Sequence, residues 1–296
     1  MKTDFTQDIR WILPKPLNNE EISNCCINNT LQKVLSRRGL DLKDELHNYI
    51  NPPELPNPTE HFNELDKASQ RIIEGCERNE KIAICGDYDA DGITSTALLV
   101  ELLCCLGGNA IPYIPSRQDE GYGLNLNMIE EINSNQIKLI ITVDNGISAI
   151  DAIKRANEFG IDLIITDHHK IPDVKLNIFS LIHPERSPID SPYKFLAGVG
   201  IAYLLAKNIC NKFNYDINNT SASVFFCIGT VADMAPLKGA NRKWLKEFLP
   251  KINTTKNKSV QSIIKKLSID QNEITSEDIG YKIAPLINAV GRIGDP

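Results

Sequence analysis

The stretch Lys81-Ile-Ala-Ile-Cys-Gly-Asp-Tyr-Asp-Ala-Asp-Gly92 joins a short apolar run to three acidic residues and a glycine. An aliphatic run that ends in aspartate is typical of a buried parallel strand with a carboxylate at its carboxyl end. In open α/β sheets, ligands and catalytic groups gather at that edge. The stretch therefore predicts a parallel sheet with a functional site beside Asp87, Asp89 and Asp91.

The same pattern occurs twice more along the chain. Leu139-Ile-Ile-Thr-Val143 is followed by Asp144-Asn-Gly146, and Leu163-Ile-Ile-Thr166 is followed by Asp167-His-His169. Taken singly, each cluster is also compatible with a polar turn or a buried histidine. Because the carboxyl ends of parallel strands meet at one edge, we expect the five aspartates and two histidines to come together. A site for several metal ions is the leading hypothesis.

Strand-like and helical segments alternate from residue 81 onward. We expect strands near 81–86, 110–115, 138–144, 162–167 and 177–183, and helices near 93–106, 125–134, 147–159 and 196–212. This alternation predicts an α/β fold with a doubly wound, mainly parallel sheet. Residues 1–80 are interpreted as a helical N-terminal extension, and the part after Tyr215 as mostly helical. The predicted domains are 1–80 and 81–296.

Bulk composition limits the class of protein. The 296 residues are 42% hydrophobic and 24% charged, which is ordinary for a globular protein. The sequence has no apolar stretch of the roughly 18–20 residues that cross a bilayer, and its amino terminus lacks a signal-peptide core. The eight cysteines include no Cys-x-x-Cys pair. We therefore expect a cytoplasmic protein with reduced cysteines and no membrane partner.

The charge distribution leaves two interpretations open. A net charge of −6 does not favour a nucleic-acid partner by itself. Residues 238–266, however, carry nine lysines or arginines and one acid, Glu247, with Trp244 and Phe248 nearby. This segment either follows a phosphate backbone or forms a pair of solvated amphipathic helices, and the sequence favours neither.

The residue types at the predicted sheet edge suit hydrolysis at phosphorus. Oxygen ligands with one or two imidazoles favour Mn²⁺ or Mg²⁺ over zinc. Two such ions, about 3.5–4 Å apart, activate water and stabilise both the attacking and the leaving oxygen. A further acid, Asp233, ends another apolar helical segment and extends the set. The sequence contains neither a P-loop nor a Gly-x-Ser-x-Gly elbow.

Four motifs together resemble the DHH phosphoesterase superfamily. They are Asp87-Tyr-Asp-Ala-Asp-Gly92, Val143-Asp-Asn-Gly146, Thr166-Asp-His-His169 and Gly229-Thr-Val-Ala-Asp-Met-Ala-Pro-Leu237. Within this superfamily, the chain is most similar to the single-strand-specific 5′→3′ DNA exonucleases of bacteria. Segments 115–124, 196–203 and 288–293 carry the closer match, and the resemblance covers nearly the whole chain.

The resemblance implies a role for each motif residue. Two ions, Mn²⁺ or Mg²⁺, would be held by Asp87, Asp89, Asp91, Asp144, His168 and Asp233. Asp144 would bridge the ions. His169 would contact the scissile phosphate, and Asp167 would orient a neighbouring imidazole, so these two and Asp144 are the expected catalytic residues. Arg117 and Arg292 would contact phosphates of the DNA.

The implied function is a metal-dependent 5′→3′ exonuclease that hydrolyses single-stranded DNA in repair and recombination. A single-strand-binding protein or a helicase is an expected further partner. The alternatives are another DHH phosphodiesterase, acting on short RNA or cyclic dinucleotides, and a non-catalytic DNA-binding scaffold. Members of this type continue into a second cleft domain and an oligonucleotide-binding barrel, so we expect the chain to be truncated before both.

Overall fold

The computed structural model describes residues 28–38, 43–115, 122–270 and 273–293. The chain divides into two compact units, Met1–Pro53 and Glu54–Pro296. The described part of the first unit forms two helices, α1 (Asn29–Ser36) and α2 (Lys43–Ile50). Asn28 caps α1, because its side chain accepts a hydrogen bond from the backbone N–H of Thr30 at 2.8 Å.

The second unit is built on a five-stranded parallel sheet. Its strands are β1 (Lys81–Cys85), β2 (Asn109–Tyr113), β3 (Leu139–Val143), β4 (Asp162–Thr166) and β5 (Ser180–Ile182), in the order β2-β1-β3-β4-β5. The chain passes from β1 to β2 on one side and resumes with β3 on the other. The topological switch point therefore lies between β1 and β3, where doubly wound sheets bind their ligands.

Helices cover both faces of the sheet. They are α3 (Leu65–Glu77), α4 (Ala90–Cys105), α5 (Leu126–Ser134), α6 (Ile150–Glu158), α7 (Gly198–Phe213), α8 (Ala222–Ala232), α9 (Gly239–Ile252), α10 (Lys258–Lys266), α11 (Ser276–Asp278) and α12 (Ala284–Ile293). A π-helical turn, Ile279–Ile283, joins the last two. Successive strand residues point to opposite faces, so Ile82 packs in the core with α3, α4, α7 and α8, whereas Ala83 packs with α5 and α6. The predicted doubly wound α/β fold is confirmed.

Helix α3 belongs to the second unit and is fixed to the amino-terminal edge of the sheet. Arg71 of α3 pairs with Glu80, just before β1, at 2.8 Å, and with Asp162, the first residue of β4, at 2.7 Å. The domain limits expected from the sequence, 1–80 and 81–296, stay a prediction.

The basic segment forms α9 and α10, with its aromatic residues turned inward. Trp244 and Phe248 are each only 3% exposed and pack around Tyr203 and Phe226. They therefore offer no ring to a nucleic-acid base, and contact of the basic side chains with a phosphate backbone stays a prediction. Within the described ranges, none of the helices is both long and apolar enough to cross a membrane.

Candidate active site

The loop after β1 places three carboxylates at the switch point. Helix α4 begins at Ala90, and Asp89 is its N-cap: Oδ1 of Asp89 accepts hydrogen bonds from the backbone N–H of Asp91 at 3.0 Å and of Gly92 at 2.9 Å. A Cβ atom on Gly92 would lie 2.6 Å from the backbone of Asp87. The absence of a side chain at Gly92 therefore permits the sharp turn that directs the three acids to one side.

Asp91 lies against the start of α7. Its Oδ2 accepts a hydrogen bond from the backbone N–H of Gly198 at 2.7 Å, and its Oδ1 accepts one from Val199 at 2.9 Å. A helix N-terminus favours negative charge, because its first N–H groups lack partners within the helix. A Cβ atom on Gly198 would lie 2.4 Å from Cβ of Asp144, and one on Gly229 would lie 2.8 Å from Oδ1 of Asp91. The two glycines let α7 and α8 approach the carboxylates closely.

Asp144 follows β3 with a left-handed backbone, φ +60°. This conformation is uncommon outside glycine, although aspartate tolerates it better than most residues. The backbone N–H of Asp144 donates to the carbonyl of Thr166 at 3.1 Å. Its Oδ1 lies 2.9 Å from Nε2 of His168, and Oδ2 of Asp91 lies 3.9 Å from the same nitrogen. Backbone strain of this kind is concentrated at functional sites.

Asp167 organises the loop after β4. Its Oδ1 accepts hydrogen bonds from the backbone N–H of His168 at 2.7 Å and of His169 at 3.0 Å, and from Nδ1 of His169 at 2.8 Å. Its Oδ2 accepts one from the backbone N–H of Ile147 at 2.9 Å. Because Asp167 holds Nδ1, the other ring nitrogen of His169 is directed away from the loop. Asp167 thus holds the imidazole of His169 through Nδ1; its role in catalysis stays a prediction.

The structure brings the acids and histidines into three overlapping groups, in each of which the ligand atoms lie within 4.8 Å of one another. The groups are Asp87, Asp89 and Asp144; Asp91, His168 and Asp233; and Asp144, His168 and His169. Asp144 and His168 each belong to two groups; Asp144 joins Asp87 and Asp89 to His168, which suits a bridging position. The ion that each residue binds stays a prediction.

Electrostatics favour a cation at this place. Burial raises the pKa of Asp87 to about 7 and raises those of Asp91 and Asp144 well above the usual range; neighbouring carboxylates add to each shift. Burial also raises the pKa of Asp233. Both carboxylate oxygens of Asp87 are buried and accept no hydrogen bond of normal geometry from the described residues. A divalent cation would offset both the repulsion and the missing contacts, so the residues present fit one or more such ions.

The pKa values of the Asp167–His169 pair move in the opposite sense. Burial raises the pKa of Asp167, but hydrogen bonds from His169 and Ile147 outweigh it and leave the pKa below its usual value. The hydrogen bond to Asp167 raises the pKa of His169, more than burial lowers it. The ionised carboxylate of Asp167 thus favours the protonated form of the His169 imidazole at the edge of the site.

Two polar residues that sequence reasoning did not select complete the site. Tyr122 is half exposed, and its hydroxyl lies 3.2 Å from the carbonyl of Asp144 and 3.3 Å from Nε2 of His169. His183 is buried after β5, and its Nε2 donates to the carbonyl of His169 at 2.7 Å while its Nδ1 accepts from the backbone N–H of Glu185 at 3.1 Å. The sequence features that could have indicated them are the position of Tyr122 close to Arg117 and the position of His183 directly after a predicted strand.

Asn145, between Asp144 and Gly146, fastens the loop that carries Tyr122. Its side-chain amide donates to the carbonyls of Cys85 and Val143 at 3.0 and 2.8 Å, and its Oδ1 accepts from the backbone N–H of Leu124 at 3.0 Å. A cavity of about 320 Å³ opens beside this loop, between Tyr122, Ile147 and His169. Its size is that of a site for a small molecule.

Neither of the two predicted phosphate-binding arginines has a described side chain. Arg117 lies outside the described residues. Arg292 lies in α12, but its side chain is also outside what the structure describes. Their roles stay predictions.

Comparison with known proteins finds a matching family and similar exonucleases. Residues 81–230 match the DHH family, N-terminal domain. The single-stranded-DNA-specific exonuclease RecJ of Bacillus subtilis is 34% identical over 295 residues, which cover 96% of this chain and 36% of that protein. A crystal structure of exonuclease RecJ bound to manganese has 30% identity and a TM-score of 0.72, covering 79% of this chain and 59% of the other. The crystal structure of RecJ from Thermus thermophilus in complex with Mn²⁺ has 27% identity and a TM-score of 0.74, covering 90% of this chain and 37% of the other.

Proposed function

Since the chain belongs to the DHH family, we propose that it is a metal-dependent phosphodiesterase that hydrolyses single-stranded DNA from its 5′ end. The observation that carries this proposal is the convergence of five carboxylates and two imidazoles at the switch point of the sheet. The chain spans 36% of the length of its Bacillus subtilis relative, so the direction of hydrolysis and the substrate belong to the proposal.

We infer that the cofactor is a pair of Mn²⁺ or Mg²⁺ ions. Solved RecJ structures contain manganese or magnesium, and the ligands in this chain are carboxylates and imidazoles, without thiolates. The residues that would hold the ions are Asp87, Asp89, Asp91, Asp144, His168 and Asp233. When bound, such ions lower the pKa of water and stabilise negative charge on phosphate oxygens.

The side chains outside the ligand set have their own tasks. Asp167 holds Nδ1 of His169, so that Nε2 faces the hydroxyl of Tyr122 and the cavity. A phosphate oxygen placed at Nε2 would accept a hydrogen bond from the ring in its protonated form, which Asp167 favours; this contact stabilises the charge that develops during hydrolysis. The cavity beside Tyr122 and Ile147 would take the nucleotide next to the scissile phosphate.

The alternatives drawn from the sequence have less support. A scaffold without catalysis has no need for a buried, mutually repelling set of carboxylates, which costs stability. Short RNA and cyclic dinucleotides remain the comparison substrates for the test below. A single-strand-binding protein or helicase as partner, a role in repair or recombination, and a cytoplasmic location stay predictions.

With Mn²⁺, we expect 5′-phosphorylated single-stranded DNA to be cleaved to mononucleotides from the 5′ end. The measurement uses strands labelled at either end, because the label position separates stepwise 5′ removal from internal cleavage. Duplex DNA, short RNA and a cyclic dinucleotide are the comparison substrates. EDTA is expected to abolish the reaction and added Mn²⁺ to restore it. Faster hydrolysis of short RNA or of the cyclic dinucleotide would contradict the proposed substrate.

Asp167→Asn is expected to lower kcat by about 10–100-fold, because an uncharged amide supports the His169 ring less well. Asp162→Asn is the matched control: Asp162 opens the same strand, β4, at the opposite edge of the sheet and pairs with Arg71. The measurement is kcat on single-stranded DNA together with the Mn²⁺ dissociation constant. Equal loss of kcat in both variants would argue against a specific role for Asp167.

A further inference from the structure

The start of α4 is held by a residue from the far end of the chain. The first N–H groups of a helix have no acceptor inside the helix and need one elsewhere. Asp89 supplies the acceptor for Asp91 and Gly92. The remaining N–H, that of Ala90, donates to Oδ1 of Asn288 at 2.7 Å. Asn288 lies in α12 and is 198 positions further along the sequence.

Helix α12 packs on two of the elements that carry acids of the site. It contacts α4, which begins in the acidic loop, and α8, which ends just before Asp233. The π-helical turn Ile279–Ile283 precedes it and also packs on α8, with Ile279 and Ile283 buried. Such turns are rare and are often found at functional sites. Successive residues of an α-helix are rotated by about 100° about its axis. The extra residue that a π-helical turn contains therefore changes which face of α12 meets α4.

We propose that Asn288 is a positioning residue: it fixes α12 to the backbone of the acidic loop and thereby holds Asp89 and Asp91 in the arrangement that binds metal. Its Oδ1 accepts a hydrogen bond from the backbone N–H of Ala90, which lies between these two predicted ligands in the sequence. The part of this inference that concerns metal binding and kcat rests on the proposed function.

The structure assigns the effect of Asn288 to its acceptor atom and not to its volume. Asn288 is half-buried, and its Oδ1 accepts from the backbone N–H of Ala90, which has no acceptor within α4. Asn288→Leu keeps a similar volume but removes the acceptor. Asn288→Asp keeps an oxygen at the same place. The two variants therefore separate the hydrogen bond from packing.

A matched control is available in α7. Asn208 is half-buried as well, and its side chain donates to Asp66 at 3.1 Å and to Ser69 at 2.9 Å, both in α3. Asn208→Leu removes hydrogen bonds between two helices without touching the acidic loop. This variant measures how much stability is lost when a side-chain hydrogen bond between two helices is removed.

The test compares amide hydrogen exchange at Ala90, Mn²⁺ affinity by calorimetry, and kcat on single-stranded DNA. For Asn288→Leu we expect exchange at Ala90 to be at least about fivefold faster, and Mn²⁺ affinity and kcat to fall about 10–100-fold. We expect Asn288→Asp to restore slow exchange and most of kcat. Asn208→Leu is expected to lower the melting temperature as much as Asn288→Leu does, with Mn²⁺ affinity and kcat unchanged.

Unchanged exchange, Mn²⁺ affinity and kcat in Asn288→Leu would overturn the proposal. So would a loss in Asn288→Asp equal to that in Asn288→Leu. If the unaltered chain cleaves none of the nucleic acids, the proposed function fails, yet the exchange and Mn²⁺ comparisons still decide whether Asn288 positions the loop.

Discussion

Asp144→Asn is expected to reduce hydrolysis of single-stranded DNA by about 10³-fold or more in the presence of Mn²⁺. Bound ions supply several kcal/mol of transition-state stabilisation, and about 1.4 kcal/mol corresponds to a tenfold change in rate. Asp144 shares one group of ligand atoms with Asp87 and Asp89, and its Oδ1 lies 2.9 Å from Nε2 of His168, a member of the group with Asp91 and Asp233. Its loss should therefore weaken both ion positions at once, unlike the loss of Asp233, which belongs to one.

The same substitution is expected to leave the metal-free fold intact or more stable. Burial and four neighbouring aspartates raise the pKa of Asp144 well above its usual range, so ionising this carboxyl in the metal-free site is costly and a neutral amide removes that cost. Asparagine also tolerates the left-handed backbone at this position. Asp144→Ala would add backbone strain of about 1–2 kcal/mol, so asparagine gives the cleaner test.

The measurements are kcat, the Mn²⁺ dissociation constant and the melting temperature in EDTA. Asp151→Asn is the control, because Asp151 is 81% exposed at the start of α6 and pairs with Lys154 alone among the described side chains. It should leave all three quantities unchanged. An Asp144→Asn variant that keeps its kcat would show that the carboxylate takes no part in hydrolysis. A clear drop in melting temperature would show that Asp144 has a structural task that the electrostatics do not explain.

The sheet was predictable because its signals are local. Each strand is a short aliphatic run of the kind buried on both faces. The three runs that lead to the site are each followed by an aspartate, which marks the end of the strand. The predicted strands differ from the observed ones by at most three residues, the largest difference being at β5, predicted at 177–183 and found at Ser180–Ile182. Helix α4 begins three residues before its predicted start at 93, because Asp89 caps it.

The supports of the site were not predictable, because they depend on contacts between distant parts of the chain. Nothing local to Asn288 indicates that its side chain meets Ala90. The burial of Trp244 and Phe248 depends on how α9 packs against α8, and a basic helix with aromatic residues is compatible with either orientation. The acids after β1, β3 and β4 were identified because the sequence shows the same pattern three times, an apolar run followed by aspartate.

Gly198→Ala is expected to lower kcat by about 10²-fold, although it adds a single methyl group. The backbone N–H of Gly198 donates to Asp91, and a Cβ atom there would lie 2.4 Å from Cβ and 2.8 Å from Cγ of Asp144. Either Asp144 or the start of α7 must then move, which separates the two acids. A displacement of about 1 Å in a catalytic arrangement can cost about 10²-fold in rate. Overpacking of this kind also costs about 1–3 kcal/mol of the free energy of unfolding.

Gly200→Ala is the matched control, because it adds the same group to the same helix two residues later. Its Cβ would lie 2.8 Å from Cδ2 and 3.2 Å from Cβ of Leu196, a buried side chain just before the helix, and not against Asp144. Alanine favours a helix over glycine by about 1 kcal/mol, which offsets part of this crowding, so Gly200→Ala should keep its kcat. The comparison of kcat, Mn²⁺ affinity and melting temperature isolates the contact with Asp144. Equal kcat in the two alanine variants would mean that α7 does not hold the acids at the distance the structure shows, and the tight approach of Gly198 would then have no catalytic consequence.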